Sequence, residues 1–145
     1  MQRKRSPVFL GPALAAVFLA ACAQPVAEAA QEQPVTVEPV EGSEVSTVTL
    51  TEKSAQRLGI QTAQVQGGQA GGTVVPYSAV LYDEHGRAWV YATSKALTFL
   101  RAEIAIDRID GDLAMLARGP EAGTVIATVG VAELFGAEMG VGDPE

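Results

Sequence analysis

The fold of this chain is decided by residues 74–91, which read VVPYSAVLY, DEHG and RAWVY. Two runs rich in β-branched and aromatic residues, separated by a short polar loop that contains Gly86, are typical of a β-hairpin. Pro76 has no backbone N–H, so it belongs near the start of the first strand or on a sheet edge. The residues that follow predict further strands packed on this hairpin.

Alternating apolar and polar residues predict short strands on both sides of the hairpin. These strands cover residues 45–50, 60–65, 97–106, 113–117 and 124–129. One helix is predicted over residues 52–58, capped by Thr51 and stopped by Gly59, and one helical turn from Val131 is expected to end at Gly136. Short strands with little helix indicate a mostly β fold, a small antiparallel β-barrel or sandwich with one or two short helices.

Residues 1–21 have the parts of a secretory signal, with a basic start, an apolar core over residues 8–19 and small residues before Cys22. The apolar core is shorter than the roughly 20 residues that a membrane span needs. Its end, Leu19-Ala20-Ala21-Cys22, resembles the lipobox of bacterial lipoproteins. The resemblance implies cleavage before Cys22 and acylation of its thiol; a plain secreted protein with an incidental cysteine is the alternative.

Three parts are predicted along the chain: the signal over 1–21, an acidic tether over 22–45 and a single β domain over 46–145. The tether contains three prolines, five glutamates and no basic residue, a composition that disfavours folding. Inside the domain, segments 46–66 and 73–138 are joined by residues 67–72, GGQAGG, which predict a flexible linker.

The chain is acidic, with 10 basic and 17 acidic side chains and a formal net charge of −7. Cleavage before Cys22 would remove Arg3, Lys4 and Arg5 and so increase the acidic excess. Nucleic acid is an unsuitable partner because a basic face is needed to offset phosphate charge. Adsorption to anionic lipid by charge alone is disfavoured for the same reason.

The sequence shows no catalytic or metal-ligating spacing, so we predict no enzyme activity, no cofactor and no metal. The candidates for such sites are solitary or weakly grouped. They are the turn residue His85, the isolated Met115 and Met139, and the acidic turn residues Asp107, Asp110 and Asp112. A calcium loop would need a distal bidentate glutamate, and the glycine pairs in 67–72 lack the Lys-Ser/Thr of a phosphate-binding loop.

Five aromatic residues fall within 23 positions: Tyr77, Tyr82, Trp89, Tyr91 and Phe99. Strand alternation places Trp89 and Tyr91 on one face and Val90 on the other. Burial in the core is the favoured interpretation. The alternative is a docking surface, because exposed Trp and Tyr are common at binding hot spots. The docking candidates are Tyr77, Trp89, Tyr91 and Phe99.

The same segments resemble the periplasmic adaptor subunits of RND efflux pumps, the membrane fusion proteins of the HlyD type, and the heavy-metal branch in particular. The resemblance is carried by VPYSAV at 75–80, WVY at 89–91, FLR at 99–101, GPEAGTVI at 119–126 and GVAELFGAE at 130–138, with the opening segment 48–62. In that family the first and last segments unite as a membrane-proximal domain beside the pump. The lipoyl-like halves, α-helical hairpin and β-barrel domain that lie between them have no counterpart here, where the interval is residues 66–73.

The resemblance implies a lipid-anchored protein on the periplasmic side of a bacterial membrane that keeps only the membrane-proximal domain. We expect it to bind an RND-type transporter, or a full-length adaptor, as an accessory subunit in the efflux of metal ions. Two alternatives stay open: a small periplasmic ligand- or metal-binding lipoprotein that uses the same fold, and a decayed adaptor without a partner. Ala23 replaces the aspartate that resembles an inner-membrane retention signal in enteric bacteria, so either membrane could hold the anchor.

Overall fold

Ten β-strands and two α-helices form within residues 33–141, which are the residues that the computed structural model describes. The strands are β1 (Val35–Pro39), β2 (Ser46–Leu50), β3 (Gln61–Gln64), β4 (Gln66–Gly67), β5 (Thr73–Pro76), β6 (Leu81–Tyr82), β7 (Ala88–Lys95), β8 (Thr98–Asp110), β9 (Leu113–Arg118) and β10 (Val125–Val129). The helices are α1 (Glu52–Leu58) and α2 (Val131–Glu138). Within this range neither helix has the length and apolarity of a membrane span. The predicted signal and Cys22 lie outside the described residues.

The strands pair antiparallel into a nearly closed, barrel-like sheet. Its main path runs in the order β3, β10, β7, β8, β9, β5 and β4. Strand β2 joins through β8 and carries β1 on its other side, and β6 pairs with β7. The predicted fold class, a mostly β barrel-like domain with short helices, is confirmed.

The long strand β8 connects the two halves of the sheet. Residues 98–104 pair with β7, and residues 105–110 pair with β9. The register of β8 and β9 shifts on both sides of Ile106, and such irregularities bend a strand and increase its twist. The bend lets one strand contribute to both halves.

Two apolar clusters fill the interior, and β7 contributes to both. The first cluster is Val48, Leu50, Ala55, Tyr91, Phe99, Ala127, Val131 and Leu134. The second cluster is Val65, Val75, Ala79, Val90, Ile104, Ala114, Leu116 and Ile126. Tyr91 and Val90 therefore enter different clusters, as the alternation predicts.

Helix α1 forms where the sequence predicts it. The Thr51 side-chain oxygen accepts a hydrogen bond from the Ser54 backbone N–H at 3.2 Å. At the other end Gly59 adopts a left-handed conformation with φ 65° and donates its N–H to carbonyls of the last turn. Both capping signals are local, which is why the sequence shows them.

The predicted strand over residues 74–82 is wrong as a single element. The chain leaves β5 at Pro76, makes a 3-10 turn at Tyr77–Ala79 and resumes as β6. The Tyr77 N–H donates to the Asp112 carbonyl at 2.7 Å, beside the β8–β9 turn. Strand β5 therefore pairs with β9, and only the short β6 forms the predicted hairpin with β7.

The boundary predicted between tether and domain also differs from the structure. Strand β1 lies inside residues 22–45 and pairs along its length with β2. Val35 packs partly buried against the first apolar cluster. The ordered domain therefore includes residues from position 35, and strand pairing overrides the unfavourable composition of the segment.

Two glycine predictions need correction. Residues 67–72 are not a loose linker, because Gly67 pairs with Thr73 and residues 68–72 form the turn between β4 and β5, where the Gly68 N–H donates to the Gly72 carbonyl at 2.8 Å. Gly136 does not end α2, which continues to Glu138. Buried side chains on both sides of Gly136, Leu134 and Glu138, hold the helix against the sheet, and packing outweighs the low helix propensity of glycine.

Candidate functional site

Charged and aromatic side chains meet where the β6–β7 turn, β7, β8 and the end of α2 come together. We call this group the stacked cluster; it consists of Glu44, Asp83, Arg87, Trp89, Tyr91, Arg101, Phe135 and Glu138. A surface cleft of about 360 Å³ opens over it.

Two guanidinium groups lie over aromatic rings at the centre of the cluster. The Arg101 Cζ atom is 4.8 Å from the centroid of the Trp89 ring and 5.3 Å from that of Phe135. The Arg87 Cζ atom is 5.1 Å from the same Trp89 centroid. These distances fall in the range of favourable cation–π interaction, so the rings help to offset the desolvation of the two cations.

Arg101 and Glu138 form a buried ion pair. Their side chains are 5% and 0% exposed, and Arg101 Nε lies 2.8 Å from Glu138 Oε2. The N–H of Arg101 Nε has no hydrogen-bond partner, because it does not point at the carboxylate oxygen. The contact is therefore an attraction between two charges and not a hydrogen bond. The two charges still attract each other at this distance, because attraction between charges depends less on angle than a hydrogen bond does.

Two further donors satisfy the Glu138 carboxylate. The Tyr91 hydroxyl donates to Oε2 at 2.5 Å, and the Ser46 backbone N–H donates to Oε1 at 2.9 Å. Burial, followed by this hydrogen bond, raises the pKa of Tyr91 well above its usual range. The end of α2 is thereby attached to β2, β7 and β8 through one carboxylate.

The Asp83 carboxylate likewise joins several parts of the chain, here at the β6–β7 turn. It accepts the backbone N–H groups of His85 and Arg87 at 2.9 Å each, Arg87 Nε at 2.7 Å and Trp89 Nε1 at 3.0 Å. Burial alone would raise the pKa of Asp83, but the hydrogen bonds outweigh it and hold that pKa well below its ordinary value.

Glu44 brings the β1–β2 loop into the cluster. Its carboxylate pairs with Arg87, and its backbone carbonyl accepts a hydrogen bond from Arg101 at 3.4 Å. The hydrogen bond from Arg87 lowers the pKa of Glu44. The Glu44 side chain remains largely exposed, so this contact is the outer edge of the cluster.

The donors around both buried carboxylates belong to the protein itself, which favours a structural network over a proton-transfer site. A general base needs a lone pair within reach of a substrate, whereas Glu138 and Asp83 are surrounded by protein N–H and O–H groups. Within residues 33–141, no three His, Cys, Asp or Glu side chains are grouped so that they could hold a metal ion.

The four docking candidates differ in their exposure to solvent. Trp89, Tyr91 and Phe99 are buried, so they cannot form a docking surface here, and the favoured core interpretation holds for them. Tyr77 is 40% exposed and stays a candidate. Cys22, the predicted acylation site, lies outside the described residues.

Tyr77 belongs to an exposed group that we call the tyrosine patch: Tyr77, Tyr82 and Leu113. Tyr82 is 47% exposed, and the neighbouring Tyr77 hydroxyl raises the pKa of Tyr82. Leu113, also exposed, pairs with Pro76, the residue before Tyr77. The patch therefore presents two aromatic rings and an aliphatic side chain to solvent.

Sequence reasoning missed the roles of Arg101 and Glu138. In the sequence, Arg101 and Glu138 stand out only as members of the segments 99–101 and 130–138 that carry the family resemblance. The available signal was position, because Arg101 lies two residues after Phe99 and so shares its strand face. An arginine on a buried face requires a partner, although the sequence does not identify Glu138 as that partner.

No protein-family model, curated protein or solved structure matches the chain.

Proposed function

We propose that the chain is a lipid-anchored accessory subunit that binds an RND-type efflux transporter, or the full-length adaptor on one, at the periplasmic side of a bacterial membrane. The observation that carries the proposal is the pairing of β2 with β8 and of β3 with β10. These strands come from the opening and closing segments that resemble the adaptor family. A chain that unites those segments and spans the interval with one short hairpin is suited to docking beside a pump.

The tyrosine patch is the docking surface in this proposal. Tyrosine supplies a large contact area and a hydroxyl group at a small entropic cost, which makes it frequent at hot spots. The other three aromatic candidates are buried in the folded chain. Binding through the patch needs no rearrangement of the core.

Acylation at Cys22 supports weak docking. An anchor keeps the domain at the membrane surface and raises its effective concentration around a membrane-embedded partner. The heavy-metal branch that the chain resembles implies metal ions as the transported cargo, with binding rather than catalysis as the role of this subunit.

The test is a cross-linked pull-down from gently solubilised membranes of the source cells, with mass spectrometry of the recovered proteins. We expect an RND transporter or a full-length adaptor with the wild-type chain, and loss of that protein with Cys22→Ala. The double variant Tyr77→Ala, Tyr82→Ala should recover at least about tenfold less, since truncating a hot-spot residue costs roughly 2 kcal/mol or more and a factor of ten needs only about 1.4 kcal/mol. Val129→Ala removes an exposed apolar side chain elsewhere and serves as the matched control.

Two outcomes would count against the proposal. Recovery of neither transporter nor adaptor, even after cross-linking, removes the proposed partner. Equal recovery by the tyrosine double variant and Val129→Ala removes the tyrosine patch as the docking surface and leaves the partner in place.

A further inference from the structure

A second cleft lies between α1, the β7–β8 turn and β10, away from the stacked cluster and the tyrosine patch. We call it the Lys95 cleft. Its volume is about 450 Å³, within the range of small-molecule sites in proteins. Its lining includes Ala55, Ile60, Lys95, Leu97, Phe99 and Val125, with two threonines and Ala96.

The walls of the Lys95 cleft are mainly apolar. Phe99 and Ala55 belong to the first apolar cluster, and Ile60 and Leu97 pack partly buried against it. The cleft therefore lies beside the core, and its accessible apolar surface comes from the partly buried Ile60 and Leu97. Apolar surface left in such a concavity favours an occupant that removes it from water.

Lys95 is the only charged side chain among the described residues that line the cleft. It is exposed, and within residues 33–141 no carboxylate lies at ion-pair distance from it. In a chain with 17 acidic and 10 basic side chains, an apolar cleft with one uncompensated cation is locally selective for anions.

The backbone around the cleft is irregular. The register between β7 and β8 shifts between Thr93 and Lys95, and such shifts re-aim a side chain. Leu97 has φ 60°, a left-handed conformation that is unusual for a bulky residue. The Leu97 carbonyl accepts a hydrogen bond from the Leu50 N–H at 2.9 Å. This hydrogen bond to β2 stabilises the strained turn that forms one wall of the cleft.

We infer that the Lys95 cleft binds a small anionic amphiphile, with an apolar chain against Ile60, Leu97 and Val125 and a carboxylate at the Lys95 ammonium group. The apolar lining supplies affinity and the single cation supplies selectivity for a negatively charged head. This site is independent of the proposed transporter binding, because it shares no residue with the tyrosine patch.

The test is isothermal titration calorimetry with decanoate at concentrations at which it is monomeric. The protein is the full chain carrying Cys22→Ala, purified without detergent so that the cleft has no competitor. We expect one decanoate per chain and binding at least about tenfold weaker for decyltrimethylammonium, which has the same chain and the opposite charge.

Two matched lysine variants locate the site. Lys95→Glu should weaken decanoate binding at least about tenfold. Lys53→Glu makes the same change of net charge on α1, at an exposed residue that does not line the cleft, and should leave the affinity within about twofold, because solvent and salt screen an exposed charge that the ligand does not contact.

Ala96→Trp tests the cleft without removing a charge. Ala96 is an exposed residue on its rim, so the substitution is expected to preserve the thermal unfolding temperature while blocking decanoate binding. Equal affinity for the two decyl ligands, equal weakening by the two lysine variants, undiminished binding by Ala96→Trp, or an absence of saturable binding would each overturn the inference.

Discussion

Arg101 lies near the start of β8 with its charge removed from water, and its contacts determine whether that position stabilises the domain. Desolvating a cation costs several kcal/mol, which an ion pair offsets only with good geometry and further partners. Here the partners are Glu138 and the rings of Trp89 and Phe135. Removing any one of them leaves the cost of burial in place.

Glu138→Gln keeps the size of the side chain and removes its charge. We expect the free energy of unfolding to fall by about 3–5 kcal/mol, because the substitution leaves Arg101 buried without a counter-charge. Urea unfolding at neutral pH measures the loss.

The matched control is Glu103→Gln. Glu103 pairs with Arg118 at 3.3 Å in an exposed ion pair, and such pairs contribute roughly 0–1 kcal/mol. If the two glutamine variants lose the same stability, the burial of the Arg101–Glu138 pair has no special energetic role.

Asp83 makes stability depend on pH. Its pKa in the folded chain is below the ordinary value of about 3.9, so its contribution is fully present above that value and is lost as the pH falls towards the folded-state pKa. We expect Asp83→Asn to lower the urea midpoint at pH 7 and the difference from wild type to shrink below about pH 4. A difference that stays constant from pH 7 down to pH 2 would contradict this assignment.

At the scale of elements, the β4–β5 hairpin depends on one glycine for space rather than for backbone conformation. A Cβ atom at Gly72 would lie 2.7 Å from the Leu116 carbonyl oxygen, while one at Gly67 would meet nothing within 4 Å. Neither residue has a positive φ. Alanine substitutions at the two positions therefore distinguish the effect of a steric contact from the effect of losing glycine's flexibility.

Gly72→Ala should lower the free energy of unfolding by about 1–3 kcal/mol, because backbone must move to accommodate the methyl group. Gly67→Ala should leave it unchanged or raise it by up to about 1 kcal/mol by restricting the unfolded chain. Thermal or urea unfolding of both variants checks the pair, and similar effects at the two glycines would exclude the close contact.

Elements specified by neighbouring residues were predictable. Helix α1 was predicted correctly because Thr51 and Gly59 act on their own helix. The break after Pro76 was not predictable, since it depends on a hydrogen bond between Tyr77 and Asp112, which are distant in sequence. The extension of α2 past Gly136 likewise depends on the burial of Glu138 against strands that precede it.

At the scale of the whole molecule, alternation in short strands was sufficient to predict the fold class, but not the division of the interior into two clusters. That division arises because β8 pairs with β7 in one part and with β9 in the other. The stacked cluster is a product of the same topology, since its members lie far apart in sequence. Sequence reasoning could identify its aromatic residues, but not the ion pair that fixes them.

Strand β1 determines where the folded domain begins, because it pairs along its length with β2. A chain that begins at Ser46 loses β1 and the contacts of Glu44 with Arg87 and Arg101. It also uncovers an edge of β2, which favours association with other strands.

We expect a chain that begins at Ser46 to be less stable by about 2–4 kcal/mol than one that begins at Gln33, because each lost backbone hydrogen bond contributes roughly 0.5–1.5 kcal/mol. Urea unfolding of the two chains measures the difference, and hydrogen exchange should show reduced protection in β2. Val37→Ala within the longer chain is the control, because it trims an exposed side chain of β1 while retaining the strand. Equal stability of the two chains would return the domain boundary to position 46, since β1 would then add nothing to the folded state.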